Sequence, residues 1–205
     1  MLSQTGFDLW ADGYDQTVGL SDQENSYPFA GYKEILGRIY EIILKKGKPT
    51  VLDIGFGTGT LTAKLYDQGC EIWGQDFSER MIGLASAKMP GAHLYQGDFS
   101  QELAESVLQN RYDFIVATYS LHHLKAEDKI TMIGSLMNLL KEDGMILIGD
   151  VAFADRAGLV RCQKEAGDEW DDEEIYFVFD EMQKIFPKMR FEQISDCAGL
   201  LSLTR

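Results

Sequence analysis

The chain has 205 residues, 45% hydrophobic and 11% aromatic, with a formal net charge of −14. That length suits one domain with a full core and is short for two, and no apolar run approaches the ~20 residues of a membrane span. The acidic balance argues against a nucleic-acid surface, which needs clustered Lys and Arg to neutralise phosphates. The opening MLSQTGFDLWADGYD has no basic cluster followed by an apolar run. A secretory signal is therefore not expected, and a cytoplasmic location is. Cys70, Cys162 and Cys197 are an odd count at no metal-ligand spacing and read as reduced, packed thiols.

Over 29–46, Phe29, Tyr32, Ile35, Leu36, Ile39, Ile42 and Ile43 recur every three or four positions and trace one apolar helix face. Gly47 and Pro49 close that helix, and 51–54 follows as a strand covered on both faces. A helix at 60–66, a strand at 71–75 and a helix capped by Ser78 continue the alternation, the last running to Lys88 before Pro90 and Gly91. Next come a short strand at 93–96, a helix at 101–109, a buried strand at 112–118 and a helix at 126–141. In that last helix Ile130, Ile133, Met137 and Leu140 point inward, and 145–149 is the fifth strand. Strands alternating with helices imply a parallel sheet wound on both faces with right-handed crossovers.

After Asp150 the rhythm breaks. Two helical stretches, 154–165 and 173–186, precede strand-like runs at 191–195 and 200–204, joined at Ala198-Gly199 as an antiparallel edge hairpin. The expected fold is α/β: a Rossmann-like, doubly wound, mostly parallel seven-stranded sheet with that hairpin at its C-terminal end. One domain is expected over 1–205, with 1–48 a helical cover, 49–150 the ligand-binding core, 151–190 a helical insert or lid and 191–205 the hairpin.

The most informative stretch is VLDIGFGTGTLTAKL, 51–65. Gly55, Gly57 and Gly59 remove the Cβ atoms that would hold a ligand off the backbone and permit positive φ in a tight strand-to-helix turn. In open α/β sheets ligands bind there, beyond the carboxyl ends of the strands. The helix that follows offers unpaired N–H groups to a pyrophosphate or a carboxylate. A G-x-G-x-x-G dinucleotide fingerprint would place glycine where Thr60 stands, and Asp53 beside the turn repels a pyrophosphate while attracting an ammonium group. Both features disfavour an NAD-dependent oxidoreductase. Asp76, ending the second strand, can accept hydrogen bonds from a ribose diol, and Phe77 can offer its ring to adenine. Asp98, in the GDF at 97–99, can meet an exocyclic amine. The ordered set on successive strand ends is the specific signal.

With the opening FDLWADGYDQTV, LHHL at 121–124 and LKEDGMILIGD at 140–150, this set resembles the class I S-adenosylmethionine-dependent methyltransferases of small-molecule type, closest to the YrrT-type group. The likeness covers nearly the whole chain. It implies S-adenosyl-L-methionine as cofactor and S-adenosyl-L-homocysteine as product. It also implies that Asp53 and the glycine turn hold the methionine moiety, Asp76 the ribose hydroxyls, and Asp98 with the Phe99 amide the adenine edge. Phe77, Met81 and Ala117 are the further cofactor contacts, and Tyr14 would reach the cofactor's carboxylate end. Phe56 stands at a variable position of the turn.

Aligning an activated methyl donor with its acceptor can by itself lower a barrier by several kcal/mol, up to ~7–11 in favourable systems, so a general base is optional. His122 and Tyr119 are the catalytic candidates. His123 reads as a structural hydrogen-bonder and Asp150 as a loop cap. Trp10, Tyr14, Tyr27 and Trp170 would pack a cover, and the run DEWDDEE at 168–174 reads as a solvated face. A small-molecule methyl acceptor is expected, with no nucleic acid, no membrane and no metal. The alternative is a non-catalytic protein that senses S-adenosylmethionine or S-adenosylhomocysteine.

Overall fold

The structure, a computed structural model, describes residues 27–205. Helix α1 (Tyr32–Leu44) turns Ile35, Leu36, Ile39 and Ile43 inward, as their spacing dictates. There follow β1 (Thr50–Ile54), α2 (Thr60–Asp67), β2 (Glu71–Asp76), α3 (Glu79–Lys88), β3 (His93–Gln96), α4 (Glu105–Leu108) and β4 (Tyr112–Thr118). A 3₁₀ turn (Leu121–His123) leads into α5 (Ala126–Met137) and the long β5 (Leu140–Phe153). The remainder is α6 (Arg156–Ala166), β6 (Phe177–Val178), α7 (Phe179–Ile185), β7 (Arg190–Gln193) and β8 (Ala198–Thr204). The sheet order is β3-β2-β1-β4-β5-β8-β7, parallel except for β8, which is antiparallel to both β5 and β7. Strand order reverses beside β1, between β2 and β4, the expected place for a ligand.

Alternate residues of the central strands feed two cores. Val51, Ile72, Phe114, Val116 and Leu147 meet α1, α2 and α3 on one face, whereas Leu52, Ile54, Ile115, Ile146 and Ile148 meet α4 and α5 on the other. Both faces are covered, which is why these strands read as continuous apolar runs.

Several expectations need correction. The sheet has eight strands rather than seven, because β5 runs four residues beyond Gly149 and its end pairs with the two-residue β6. Gly149 does not end the strand: a Cβ there would stand 2.3 Å from Ile35 Cγ2, so the glycine admits α1 against the sheet. Leu140 opens β5 rather than closing the preceding helix, the 101–109 helix shrinks to four residues, and 173–186 holds β6 before α7 begins at Phe179. Ala198-Gly199 is not the hairpin turn. Gly199 pairs with Gln193 and Asp150, and a Cβ on it would lie 2.3 Å from Phe191 Cε2, so it makes room for a cross-strand ring.

Asp113 clips the amino ends of the central strands together. Its Oδ2 accepts from Thr50 N at 2.9 Å and from Lys141 Nζ at 2.7 Å, and Oδ1 lies 2.9 Å from Lys46 Nζ. Burial pushes this carboxyl up, but Lys141, the Thr50 amide and Lys46 outweigh it and hold it at about 2. Since the unfolded value is ~3.9, the contribution is full above pH ~4 and is lost as pH falls through about 2. Asp113→Asn is expected to cost about 1–2 kcal/mol at pH 7 and almost nothing near pH 2. Urea unfolding at the two pH values checks this, and an equal loss at both would contradict it.

Candidate functional site

A cavity of about 550 Å³ opens over the carboxyl ends of β1, β2 and β4. Among the sequence-derived candidates, Asp53, Gly55, Gly57, Asp76, Phe77, Met81, Asp98, Phe99 and Tyr119 line it. Ala117 does not: it points into the core with Leu52 and Ile54. Tyr14 and Trp10 lie outside the described residues.

The three glycines divide by cause. Gly55 (φ 70°) is demanded by the protein's own packing, since a Cβ would stand 2.5 Å from Ser120 Cβ, and Gly59 by its left-handed φ of 74° at the N-cap of α2. At Gly57 the left-handed φ of 55° favours glycine, and among the described residues nothing lies within 4 Å of an added Cβ, which would border the cavity.

Asp76 is 4% exposed and fixes the rim. Its Oδ2 accepts from Gly57 N at 2.8 Å and its Oδ1 from Ser78 N at 2.9 Å, while the Ser78 hydroxyl caps α3 by accepting from Met81 N. Asp53 is 1% exposed, and its Oδ1 has no hydrogen-bond partner among the described residues. Burial and the nearby charge of Asp76 raise its carboxyl to about 8, only partly offset by the Thr62 hydroxyl. A buried carboxylate oxygen left unpaired is costly, and a cation or a donor arriving in the cavity relieves it. Asp98 is exposed and accepts from Ser100 N through Oδ1 at 2.8 Å.

Tyr119 follows β4 with φ 50°, the only positive value at a non-glycine among the described residues. Backbone held in this region concentrates at functional sites. Its ring packs 5.2 Å from Phe29 and 5.3 Å from Tyr32.

The two histidines exchange their expected places. His123 lines the cavity, whereas His122 is buried behind it with Nδ1 2.6 Å from Asp150 Oδ1. Burial works against the charged form of His122, yet the charge and hydrogen bond of Asp150 prevail and raise its pKa. Burial and the charge of His122 lower His123 to about 3. Asp150 is no loop cap: it sits fully buried inside β5 and also accepts from Val151 N.

Two residues of this neighbourhood escaped the sequence reading. Glu174 turns inward from the acidic run to lie 3.5 Å from His122 Nε2, while the run's other carboxylates stay exposed. Lys129, 2% exposed on α5, donates to the Ile175 carbonyl and lies 4.4 Å over the Phe177 ring. Only the adjacency of LHHL to Asp150 on the paired strand hinted at this cluster. Tyr27 and Trp170 stack at 5.2 Å, with Tyr176 edge-on to both.

A family of sequences described as "Methyltransferase domain" matches residues 51–144, the span that carries the glycine turn, Asp76 and Asp98. An uncharacterized methyltransferase of Geobacillus sp. (strain WCH70) is 36% identical over 193 residues, covering 90% of this chain and 87% of its own. The chain belongs to the class I S-adenosylmethionine-dependent methyltransferases. The uncharacterized methyltransferase YrrT of Halobacillus halophilus is 31% identical over 95% of this chain and 93% of its own length. The crystal structure of magnesium protoporphyrin IX methyltransferase from Synechocystis PCC 6803 with bound SAH shares the fold at a TM-score of 0.67 and 21% identity, over 85% of this chain and 83% of that one.

The residues of this methyltransferase fit S-adenosylmethionine as a ligand. The cavity has the volume of a small-molecule site, Gly57 leaves the backbone bare, and the unpaired oxygen of Asp53 awaits a cationic or donor group. No helix among the described residues is long and apolar enough to cross a membrane.

Proposed function

We propose that this methyltransferase acts on a small-molecule acceptor and works mainly by positioning. The observation that carries the reading is the convergence of Asp53, Asp76 and the bare Gly57 backbone on one cavity. In this reading Asp53 and the glycine turn hold the amino-acid end of the cofactor, Asp76 its ribose hydroxyls, and Asp98 with the Phe99 amide its adenine edge, between Phe77 and Met81. When bound, S-adenosylmethionine supplies a methyl group already activated by its sulfonium.

The chain's part is to orient both reactants and exclude water, which is worth several kcal/mol. Tyr119, Tyr32 and His123 face the cavity and would shape the acceptor's approach. His123, held at about 3, is a weak base, so His122 with Asp150 is the better reservoir for a proton, reached through its neighbour rather than directly. The whole chain is read as a single domain in the cytoplasm. The net charge of −14 disfavours a nucleic-acid acceptor.

Incubation with methyl-labelled S-adenosylmethionine and pooled small metabolites tests this. Transfer to at least one acceptor, with formation of S-adenosylhomocysteine, is expected. Tight cofactor binding with no transfer to any pool would replace the enzyme with a sensor.

A further inference from the structure

Between the cofactor cavity, which His123 lines, and a second cavity of about 230 Å³, which Glu174 lines, three side chains converge. Ligand atoms of His122, His123 and Glu174 lie within 4.8 Å of one another. Glu174 Oε1 is 3.5 Å from His122 Nε2 and 3.7 Å from His123 Nδ1. Donors around a tetrahedral zinc-type ion with bonds of ~2.0–2.2 Å stand about 3.3–3.6 Å apart, so two of the three spacings are already near closure. We propose that His122, His123 and Glu174 bind one divalent transition-metal ion of the zinc class, whose fourth position is left for the methyl acceptor.

Each part of the cluster is supported from behind. Asp150 Oδ1 engages His122 Nδ1 and places the ring proton there, which leaves the Nε2 lone pair for a metal. The Tyr176 hydroxyl donates to Glu174 Oε2 at 2.9 Å, and Ile175 N donates to the His122 carbonyl at 2.9 Å, which fastens the Glu174 segment beside the histidines. Asp150 and Glu174 set two carboxyl groups against one buried amine, Lys129, among the described residues, and so leave a demand for positive charge. A cation satisfies it. The donor set, two imidazoles and one carboxylate, suits zinc-class ions rather than calcium or magnesium. Sequence spacing concealed it because Glu174 comes from the far segment before β6.

The role rests on the methyltransferase reading. An acceptor thiol or acidic hydroxyl bound to the ion would lose its proton to water more readily. The acceptor atom then forms a bond to the methyl carbon as the carbon–sulfonium bond breaks, and that electron pair returns to sulfur to leave a neutral thioether.

Calorimetric titration of the metal-free protein with zinc tests the site, with cobalt(II) as the spectroscopic probe and S-adenosylhomocysteine titrated in parallel. One zinc per chain is expected. The cobalt form should show the visible bands of a low-coordinate ion without the sulfur charge-transfer band that Cys162 or Cys197 would give. Glu174→Gln and His123→Gln, both at partly exposed positions, should weaken zinc binding at least about 10–100-fold with circular dichroism unchanged. His93→Gln, at the third histidine of the chain, should leave it as it is. Protein that binds S-adenosylhomocysteine but no zinc, or undiminished zinc binding in both cluster variants, overturns the metal site. Zinc uptake lost in those variants, by protein that ignores S-adenosylhomocysteine, supports the metal site and overturns the methyltransferase reading instead.

Discussion

Asp76→Ala is expected to weaken S-adenosylhomocysteine binding by on the order of 10²–10⁴-fold while the protein stays folded. A hydrogen bond to a charged group is worth about 1.5–3 kcal/mol, and a ribose diol would place two of them on this carboxylate. The substitution also strands two backbone donors, Gly57 N and Ser78 N, at the rim that shapes the cavity. Asp76→Asn discriminates further. Its amide keeps one acceptor oxygen but turns N–H groups toward one of those amides, so it should lose nearly as much as alanine does. Calorimetry reads both, and an asparagine variant that binds like wild type would remove Asp76 from the proposed site.

Asp53→Asn should reduce the same affinity by on the order of 10²–10³-fold, the scale expected when one partner of a buried ion pair is removed. Its signature is a proton. The folded carboxyl stands at about 8 against an unfolded value of ~3.9, so the folded protein holds an extra proton between pH ~4 and 8. Stability conferred on the ligand-free chain therefore falls as pH rises through that window and levels off above 8. Asparagine carries no such penalty, so Asp53→Asn should be the more stable protein above pH ~4, with the difference growing up to pH 8. The cofactor's ammonium favours the ionised form, and binding at pH 7 should release close to one proton. Calorimetry in buffers of different ionisation enthalpy counts it. Wild type releasing no proton, with Asp53→Asn binding equally well, would contradict the ammonium role.

Much of this was legible in the residues. β3 and β4 span the expected 93–96 and 112–118, and α1 buries the face its spacing marked. The turn is legible because three glycines in five residues have few other uses. What stayed hidden depends on contacts between distant segments. Gly149 and Gly199 read as breaks, although they are strand residues kept small for Ile35 and Phe191. β6 is two residues long and exists only because β5 overshoots the sheet. His122 and His123 are adjacent, and no local rule says which faces the cavity; Asp150 decides by holding His122 behind it. Glu174 is one carboxylate in an acidic run, singled out only by the backbone bond from Ile175 to His122. Ala117 shows the limit of carrying a contact over by likeness, since strand alternation sends it to the core.

In the proposed site, successive strand tips and a bend without side chains together seat a nucleoside with a charged tail. A crystal structure of the protein with S-adenosylhomocysteine tests it most directly. The prediction is a ribose diol on Asp76, an amino group at Asp53 Oδ1 and main-chain contact at Gly57. Ligand density elsewhere, with this cavity closed by the protein's own side chains, would contradict it.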